Sequence, residues 1–107
     1  MRNKISLIYT TMASIEEAER LAEKAIEAQY ASCVNIIPQI KSIYRWEGNI
    51  EKSAECVLLF KTSTSMTDQL LTYIENNHPY SVPAILHTTV ETSADFFAYI
   101  EAGIPAV

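Results

Sequence analysis

Hydrophobic and polar residues alternate along this chain with two different periods. The segments with a period of two, which is typical of strands, are residues 3–11, 30–61 and 85–91. The segments with a spacing of three and four, which is typical of amphipathic helices, begin after Ser14, within residues 62–67 and after Ser93. The pattern therefore predicts the order strand, helix, strand, strand, helix, strand, helix.

The longest of these segments, residues 30–61, has the composition of two strands folded on a turn at Gly48 and Asn49. β-Branched and aromatic residues fill both arms, and glycine and asparagine tolerate the positive φ angles of a tight turn. This position of the turn predicts that Trp46 faces Glu51 across the hairpin.

Pro38 interrupts the first arm of the hairpin. Proline has no N–H to donate to a neighbouring strand, so it marks a strand edge, a bend or a bulge, and we expect the arm to bend at this point. A bulge changes the alternation of faces. The sequence therefore leaves open whether Cys33 lies on the same face as Tyr44 and Trp46.

The first and second helices have clear boundaries. Ser14 and Glu17 form the pattern of a capping box, and the helix that they begin is expected to end near Tyr30. The second helix is expected to stop at His78, because residues 79–83 contain two prolines and form an irregular loop. The apolar stripes of the two helices comprise Ile15, Ala18, Leu21, Ala22, Ala25, Ile26, Met66, Leu70, Leu71 and Ile74.

This element order fits a split βαβ pair, in which one antiparallel sheet carries helices on one face. The strands contain more apolar residues than one covered face can hold, so the other face would expose an apolar surface to water. The long hairpin would also leave unpaired strand edges. Both features predict that the protein associates with copies of itself.

The composition indicates one domain, residues 1–107, and a net charge of −5. Clustered Lys and Arg are needed to bind nucleic acid or an anionic membrane, so the acidic balance argues against both partners. The apolar runs are too short for a membrane span or for the core of a signal peptide. We therefore expect a cytoplasmic protein.

The two cysteines, Cys33 and Cys56, are expected to be reduced. In the predicted register they lie more than about 20 Å apart, at about 3.4 Å per residue. A disulfide requires Cα atoms within about 7 Å. Only pairing between chains would link them.

Cys33 and His78 are the candidate metal ligands, because sulfur suits copper(I) and imidazole suits either copper state. The structural alternatives are a small buried cysteine and a histidine that satisfies the last carbonyls of a helix. Two ligands are too few for a closed copper(II) or zinc site. A site shared between subunits, or a two-coordinate copper(I) site, satisfies this limit.

Lys61 stands among apolar residues and needs a partner. It forms an ion pair with Glu55 of a neighbouring chain or with Glu91, or, together with Tyr80, it forms a site for a small anion. Tyr44 and Trp46 are expected to wall such a pocket or to anchor a subunit interface. We find no nucleophile beside a base and no glycine-rich phosphate loop, so we do not expect an enzyme.

Four blocks of residues resemble the CutA family of divalent-cation-tolerance proteins. The blocks are Ala31-Ser32-Cys33-Val34-Asn35-Ile36-Ile37-Pro38, Ser42-Ile43-Tyr44-Arg45-Trp46-Glu47-Gly48, Lys61-Thr62, and His78-Pro79-Tyr80 with Val82-Pro83. The resemblance implies a ferredoxin-like α+β fold, a homotrimer, and tolerance of copper or another divalent cation through weak metal binding.

The chain departs from the family pattern in the fourth block, where Ser81 and Ala84 replace two carboxylates. The acidic residue expected before Ile85 is one of the family's candidate metal ligands. The loss of that residue weakens the prediction of a metal site. The alternative is a trimeric small-ligand-binding or signalling protein with a pocket between subunits and no role for metal.

Overall fold

The computed structural model describes residues 3–105, and in this range it contains four strands and three helices. Their bounds are β1 (Asn3–Met12), α1 (Ile15–Glu27), β2 (Cys33–Trp46), β3 (Asn49–Thr62), α2 (Thr67–Asn77), β4 (Ile85–Thr92) and α3 (Ala94–Ala102), with a short 3-10 turn (Thr64–Met66) before α2. This order is the predicted one. No helix among the described residues is long and apolar enough to cross a membrane.

The four strands form one antiparallel sheet in the order β2-β3-β1-β4. The two strands central to the sheet, β3 and β1, are separated in sequence by α1 and β2, which is the connectivity of two interlocked βαβ units. The chain therefore has an α+β, ferredoxin-like fold, as predicted.

Helices α1 and α2 cover one face of the sheet, which we call the first face. Side chains from both helices and from β1 and β3 form one apolar cluster there. Its fully buried members are Ile8, Ala18, Ala25, Leu58, Phe60, Leu70 and Ile74. Burying a side chain of the size of Leu, Ile or Phe contributes about 1.5–3 kcal/mol each, so this cluster holds the monomer together.

Helix α1 begins as the capping pattern predicts. The Ser14 Oγ accepts a 3.2 Å hydrogen bond from the Glu17 N–H and donates one of 3.0 Å to Glu17 Oε1. The helix ends earlier than expected, at Glu27. Gln29 has a φ of 62°, and the Tyr30 N–H reaches back to the carbonyl of Ala25. A residue in the left-handed conformation commonly ends a helix, and it is usually glycine or asparagine. Because the residue here is a glutamine, the sequence did not indicate that the helix would end at this point.

The irregularity expected at Pro38 is a β-bulge. Ile37 faces Val57, whereas Ile40 faces Glu55, so β2 contains one residue more than β3 across this interval. The extra residue bends the strand and shifts its alternation of faces.

The bulge settles which residues of β2 lie together. Residues directly opposite each other in an antiparallel pair project to the same face of the sheet. Cys33 faces Lys61, Tyr44 faces Glu51 and Trp46 faces Asn49. All of these β3 partners have odd numbers and so project away from the buried even-numbered core residues of β3. Cys33, Tyr44 and Trp46 therefore share the face opposite α1 and α2, which we call the second face.

The predicted turn at Gly48 and Asn49 is wrong by one residue. The turn residues are Glu47 and Gly48, with φ angles of 49° and 83°, and Trp46 faces Asn49 rather than Glu51. A two-residue turn of this kind needs positive φ at both central positions. Pairing along the whole hairpin places Asn49 in the ladder, so Glu47 adopts the left-handed conformation in its place.

The outer half of the hairpin projects beyond the sheet. Strand β1 pairs with β3 only from Cys56 to Thr62, so residues 49–55 pair with residues 40–46 alone. We call this two-stranded segment the ribbon. The radius of gyration is 14.7 Å, whereas a compact chain of this length has about 13 Å. The ribbon accounts for the elongated shape.

The second face is only partly covered. Lys61 lies on this face and its ammonium lies over the Phe96 ring, so α3 packs against this end of the sheet and not against the side of α1 and α2. Ile5, on the same face, is buried. Beyond α3 the second face exposes large apolar side chains, namely Ile37, Tyr44, Trp46 and Leu86.

The two cysteines lie far apart, and both are free. Cys33 faces Lys61, and Cys56 precedes Lys61 by five residues on β3. The separation along the strand is therefore about 17 Å rather than the predicted 20 Å or more. The difference follows from the corrected hairpin register. The two side chains also point to opposite faces, so no disulfide joins them within one chain.

Candidate functional site

A groove of about 550 Å³ lies where the ribbon leaves the sheet. Strands β1, β2 and β3 form its floor, and the loop of residues 78–84 forms one wall. The polar residues in its floor are Thr11, Ser42 and Glu55. The groove therefore joins segments that are distant in sequence.

Glu55 is central to the groove because of its position in the strand ladder. It is the last residue of the ribbon on β3, and the next residue, Cys56, is the first to pair with β1. Ser42, on β2, lies diagonally across from it, since Ser42 faces Ser53. Thr11, on β1, lies diagonally on the other side. Hydroxyl groups thus flank the carboxylate from both neighbouring strands.

Tyr80 closes the site from the loop. Its hydroxyl donates a 2.7 Å hydrogen bond to Glu55 Oε2. Burial tends to raise the pKa of Glu55, but hydrogen bonds from Ser42, Tyr80 and Thr11 outweigh burial and leave this pKa below its usual value of 4.5. Burial, followed by the bond to Glu55, raises the pKa of the Tyr80 phenol. At neutral pH the pair therefore consists of a carboxylate and a neutral phenol.

His78 fixes the loop that carries Tyr80. The His78 Nδ1 accepts a hydrogen bond of 3.2 Å from the Tyr80 N–H. Its Nε2 lies 2.8 Å from the carbonyl oxygen of Thr11, and Nε2 must be the donor because a carbonyl only accepts. The two rings also meet edge to face, with centroids 4.8 Å apart. Both imidazole nitrogens are therefore engaged with the backbone.

Aromatic side chains form the walls of the groove. Tyr44 and Trp46 come from the ribbon, Tyr9 comes from β1 and Tyr80 comes from the loop. Tyr44 and Trp46 remain 43% and 47% exposed, so their rings are accessible in the monomer. The groove combines one carboxylate with several accessible π-faces.

The two predicted metal ligands are not brought together in one chain. Cys33 faces Lys61, whereas His78 contacts Thr11, which faces Val57. These two positions on β3 differ by four residues, or about 14 Å along the strand. Among residues 3–105, no group of three or more His, Cys, Asp or Glu side chains is placed to hold a metal ion. Within this range, the side chains of a single chain therefore do not provide the ligand set of a divalent cation.

The two predicted anion-binding residues are also separated within the chain. Lys61 lies six residues from Glu55, the partner of Tyr80, which is about 20 Å along β3. The Lys61 ammonium donates to the Asn35 side-chain oxygen and lies 5.5 Å from the centroid of Phe96. Any site that uses both Lys61 and Tyr80 requires a second subunit.

The second cysteine is a structural residue. The Cys56 thiol is buried and donates to the carbonyl oxygens of Met12 and Ser14 at 3.4 and 3.5 Å. Burial raises the pKa of this thiol, which keeps it protonated and unreactive.

From the sequence, Glu55 was predicted only as a partner for Lys61 of a neighbouring chain, and its role in the groove was not predicted. Glu55 directly precedes an apolar run, and it has the same parity as Val57 and Leu59 on the second face. A carboxylate on the same face of a strand as apolar residues is unusual, and this feature of the sequence could have indicated a role for Glu55. The contributions of Thr11 and Ser42 had no such signal, because they arise only from the pairing of strands.

Comparisons with known proteins agree with this fold. Residues 6–103 match the family model described as CutA1 divalent ion tolerance protein. The relative "Protein CutA 1, chloroplastic" of Oryza sativa subsp. japonica is 40% identical over 80 residues, which cover 75% of this chain and 45% of that protein. The chain spans about half the length of the plant and mammalian relatives that it matches.

Solved structures show the same arrangement over nearly the whole chain. The crystal structure of CutA1 from Oryza sativa superposes with a TM-score of 0.91 at 30% identity and covers 99% of this chain and 98% of that chain. The structure of CutA from Synechococcus elongatus gives a TM-score of 0.92 at 32% identity, with 98% and 95% covered. The chain belongs to the CutA1 divalent ion tolerance protein family.

Proposed function

We propose that this protein assembles as a homotrimer and binds a small molecule in the groove at Glu55 and Tyr80, which a neighbouring subunit helps to close. The observation that carries this proposal is the Glu55–Tyr80 hydrogen bond at the base of an aromatic-walled groove. Ligand pockets typically combine apolar walls with a few oriented polar groups.

The surface of the monomer supports self-association. The second face exposes Ile37, Leu86 and the two ribbon aromatics, and the ribbon itself projects from the sheet. Strand β2 is an edge strand of 14 residues and offers unpaired backbone groups along its outer side. Contact between copies would cover both the apolar face and the free edge.

The protonation states in the groove support binding rather than catalysis. A general acid or base works best when its pKa lies near the working pH. Here the pKa of Glu55 is lowered and the pKa of Tyr80 is raised, so both move away from neutrality. At neutral pH Glu55 therefore keeps its negative charge and Tyr80 keeps its proton, and we assign no reaction to this pair.

Trp46 makes the ligand proposal directly measurable, because it is the only tryptophan in the chain and lines the groove. Native mass spectrometry should show a trimer. Titration with a panel of cationic, neutral and anionic small molecules should produce a saturable change in fluorescence for at least one class. The change should be lost in Glu55→Ala and kept in Glu75→Ala, which removes an exposed carboxylate on α2.

Two results would overturn the proposal. If the protein is a monomer at micromolar concentration, the proposed homotrimer is contradicted. If no small molecule of the panel changes the Trp46 fluorescence, the proposed ligand site is contradicted. Trp46→Ala is expected to weaken assembly, because exposed aromatic residues commonly anchor interfaces. An unchanged trimer after dilution of this variant would limit Trp46 to ligand binding.

A second candidate function is binding of copper(I) between subunits. It is supported by the family's description and by the Cys33 thiol, which is free, half-buried and on the second face opposite Lys61. His78 would join such a site only after releasing the backbone of Thr11 or Tyr80. Native mass spectrometry with copper(I) should then show metal lost in Cys33→Ser and retained in Cys56→Ser. Equal loss in both variants, or no bound copper, would refute this function.

The free cysteines also support a cytoplasmic location for this chain. Cys33 is partly accessible and unpaired, a state that reducing compartments maintain. Fractionation of cells that produce the tagged protein, with thiol labelling of Cys33, would test this. A periplasmic or organellar pool would contradict it.

A further inference from the structure

We infer that the groove at Glu55 selects organic cations of the ammonium type, held between the Glu55 carboxylate and the aromatic walls. This inference rests on the proposed function, because it names the class of ligand that the same groove would bind. It differs from the small-anion site that the sequence predicts for Lys61 and Tyr80.

The charges of the ribbon are divided between its two faces. Glu51 faces Tyr44 and Glu55 faces Ile40, so both carboxylates lie on the second face with the groove. The ribbon also carries three basic residues, whose cross-strand pairs are Lys41↔Ala54, Arg45↔Ile50 and Ile43↔Lys52. The β3 members of these pairs have even numbers, so the three basic side chains lie on the opposite face. The side of the ribbon that forms the groove is thus acidic, which attracts cations.

The lining of the groove has no positive group to receive an anion. Among the described residues that line it, none is lysine, arginine or histidine. His78 lies nearby, but both of its ring nitrogens are engaged with the backbone. An anion would therefore have to enter beside the Glu55 carboxylate with no compensating charge from the described residues that line the groove.

The walls supply the second half of a cation site. The face of an aromatic ring is electron-rich and attracts ammonium groups, with tryptophan the strongest and tyrosine next. Trp46, Tyr44 and Tyr9 line the groove around the carboxylate. The Tyr80 hydroxyl is committed to Glu55, so its ring is held in place. A bare metal ion would find one carboxylate, whereas an ammonium group with methyl substituents would contact both carboxylate and rings.

Three probes of equal shape and different charge test this inference. Choline carries a quaternary ammonium group, dimethylbutanol replaces that nitrogen by carbon, and dimethylbutanoate carries a negative charge on the same frame. Binding is followed by Trp46 fluorescence and by isothermal titration calorimetry of the assembled protein at low and high salt.

Choline is expected to bind about tenfold more tightly than dimethylbutanol, with dimethylbutanoate weakest. Glu55→Gln should remove most of this preference while leaving the binding of dimethylbutanol nearly unchanged. Glu75→Gln, which makes the same change of charge on α2, should keep the preference. Added salt should weaken choline binding more than dimethylbutanol binding.

The possible failures are distinguishable. Equal binding of all three probes, or tightest binding of dimethylbutanoate, would overturn the cation inference and leave the proposed ligand site in place. A preference for choline that persists in Glu55→Gln would also overturn it. If no probe binds and Glu55→Gln dissociates the assembly, the groove is a subunit contact, and both the inference and the ligand function fail.

Discussion

The Tyr80 hydroxyl donates a 2.7 Å hydrogen bond to Glu55 Oε2 and so connects two positions 25 residues apart. The contact ties a loop flanked by prolines to the point where the hairpin leaves the sheet. It orients the carboxylate, fixes one wall of the groove and keeps the loop against β3. Both the stability of the loop and the chemistry of the groove depend on it.

Removing this hydroxyl should destabilise the protein. Tyr80→Phe is expected to lower the free energy of unfolding by about 1 kcal/mol at neutral pH, since bonds to charged groups are worth about 1.5–3 kcal/mol and partial exposure reduces this. Urea denaturation would measure the change. Tyr99→Phe, which removes the hydroxyl of an exposed tyrosine on α3, should have little effect. Equal effects of the two variants would contradict a specific role for Tyr80.

The lowered pKa of Glu55 should make stability depend on pH. A carboxyl whose folded pKa is below its unfolded value stabilises the fold above the unfolded pKa. This contribution is lost as pH falls through the lower, folded pKa. The stability advantage of wild type over Glu55→Gln should therefore be largest at neutral pH and shrink between about pH 5 and pH 2.

An NMR titration of the Glu55 carboxyl would test this directly. Its midpoint should lie below 4.5 in wild type and should move upward in Tyr80→Phe, because one of the bonds that favours the charged form is lost. A midpoint at or above the usual value in wild type would show that burial outweighs the hydrogen bonds.

The hairpin turn offers a stabilising substitution. Glu47 has a φ of 49°, a conformation that asparagine adopts more readily than glutamate, and Gly48 follows it. Glu47→Asn is expected to raise the free energy of unfolding by about 0.5–1 kcal/mol. Glu51→Asn, within the β3 ladder, should give no gain, because asparagine is a poor strand former. Urea denaturation of both variants would decide whether backbone conformation is the cause.

The part of the second face that α3 leaves uncovered should be an assembly surface. Leu86 is 59% exposed on this face. Leu86→Asp is expected to lower the affinity between subunits at least tenfold, because the charge would be buried against a neighbouring copy. Thr72→Asp, on the exposed side of α2, should leave assembly unchanged. Sedimentation velocity over a dilution series would measure both, and an intact oligomer in Leu86→Asp would place the interface elsewhere.

The elements of the fold could be predicted because their signals are local. The capping pair Ser14 and Glu17 marks the start of α1, and Pro38 marks the bulge in β2. The exact ends of the elements were harder to predict where contacts with neighbouring strands outweighed the local preferences of the residues. The turn lies at Glu47 and Gly48, one residue earlier than predicted, because strand pairing includes Asn49. Helix α1 ends at Glu27, because Gln29 adopts the left-handed conformation.

The candidate site was predictable only in part. Tyr44, Trp46 and Tyr80 were identified from sequence, and all three line the groove. Glu55 was not assigned to the groove, and Lys61 lies about 20 Å away along β3. Sequence distance carries no information about which side chains meet across three strands and a loop.

The sequence by itself determined the order of helices and strands, the acidic charge and the family, because each is encoded in local patterns and ordered motifs. Only the tertiary structure decided which residues share a face. The bulge near Pro38 changes the parity of β2, so that Cys33 and Trp46 project to the same side. The groove exists because that shift, the strand register and the bond from Tyr80 act together on Glu55.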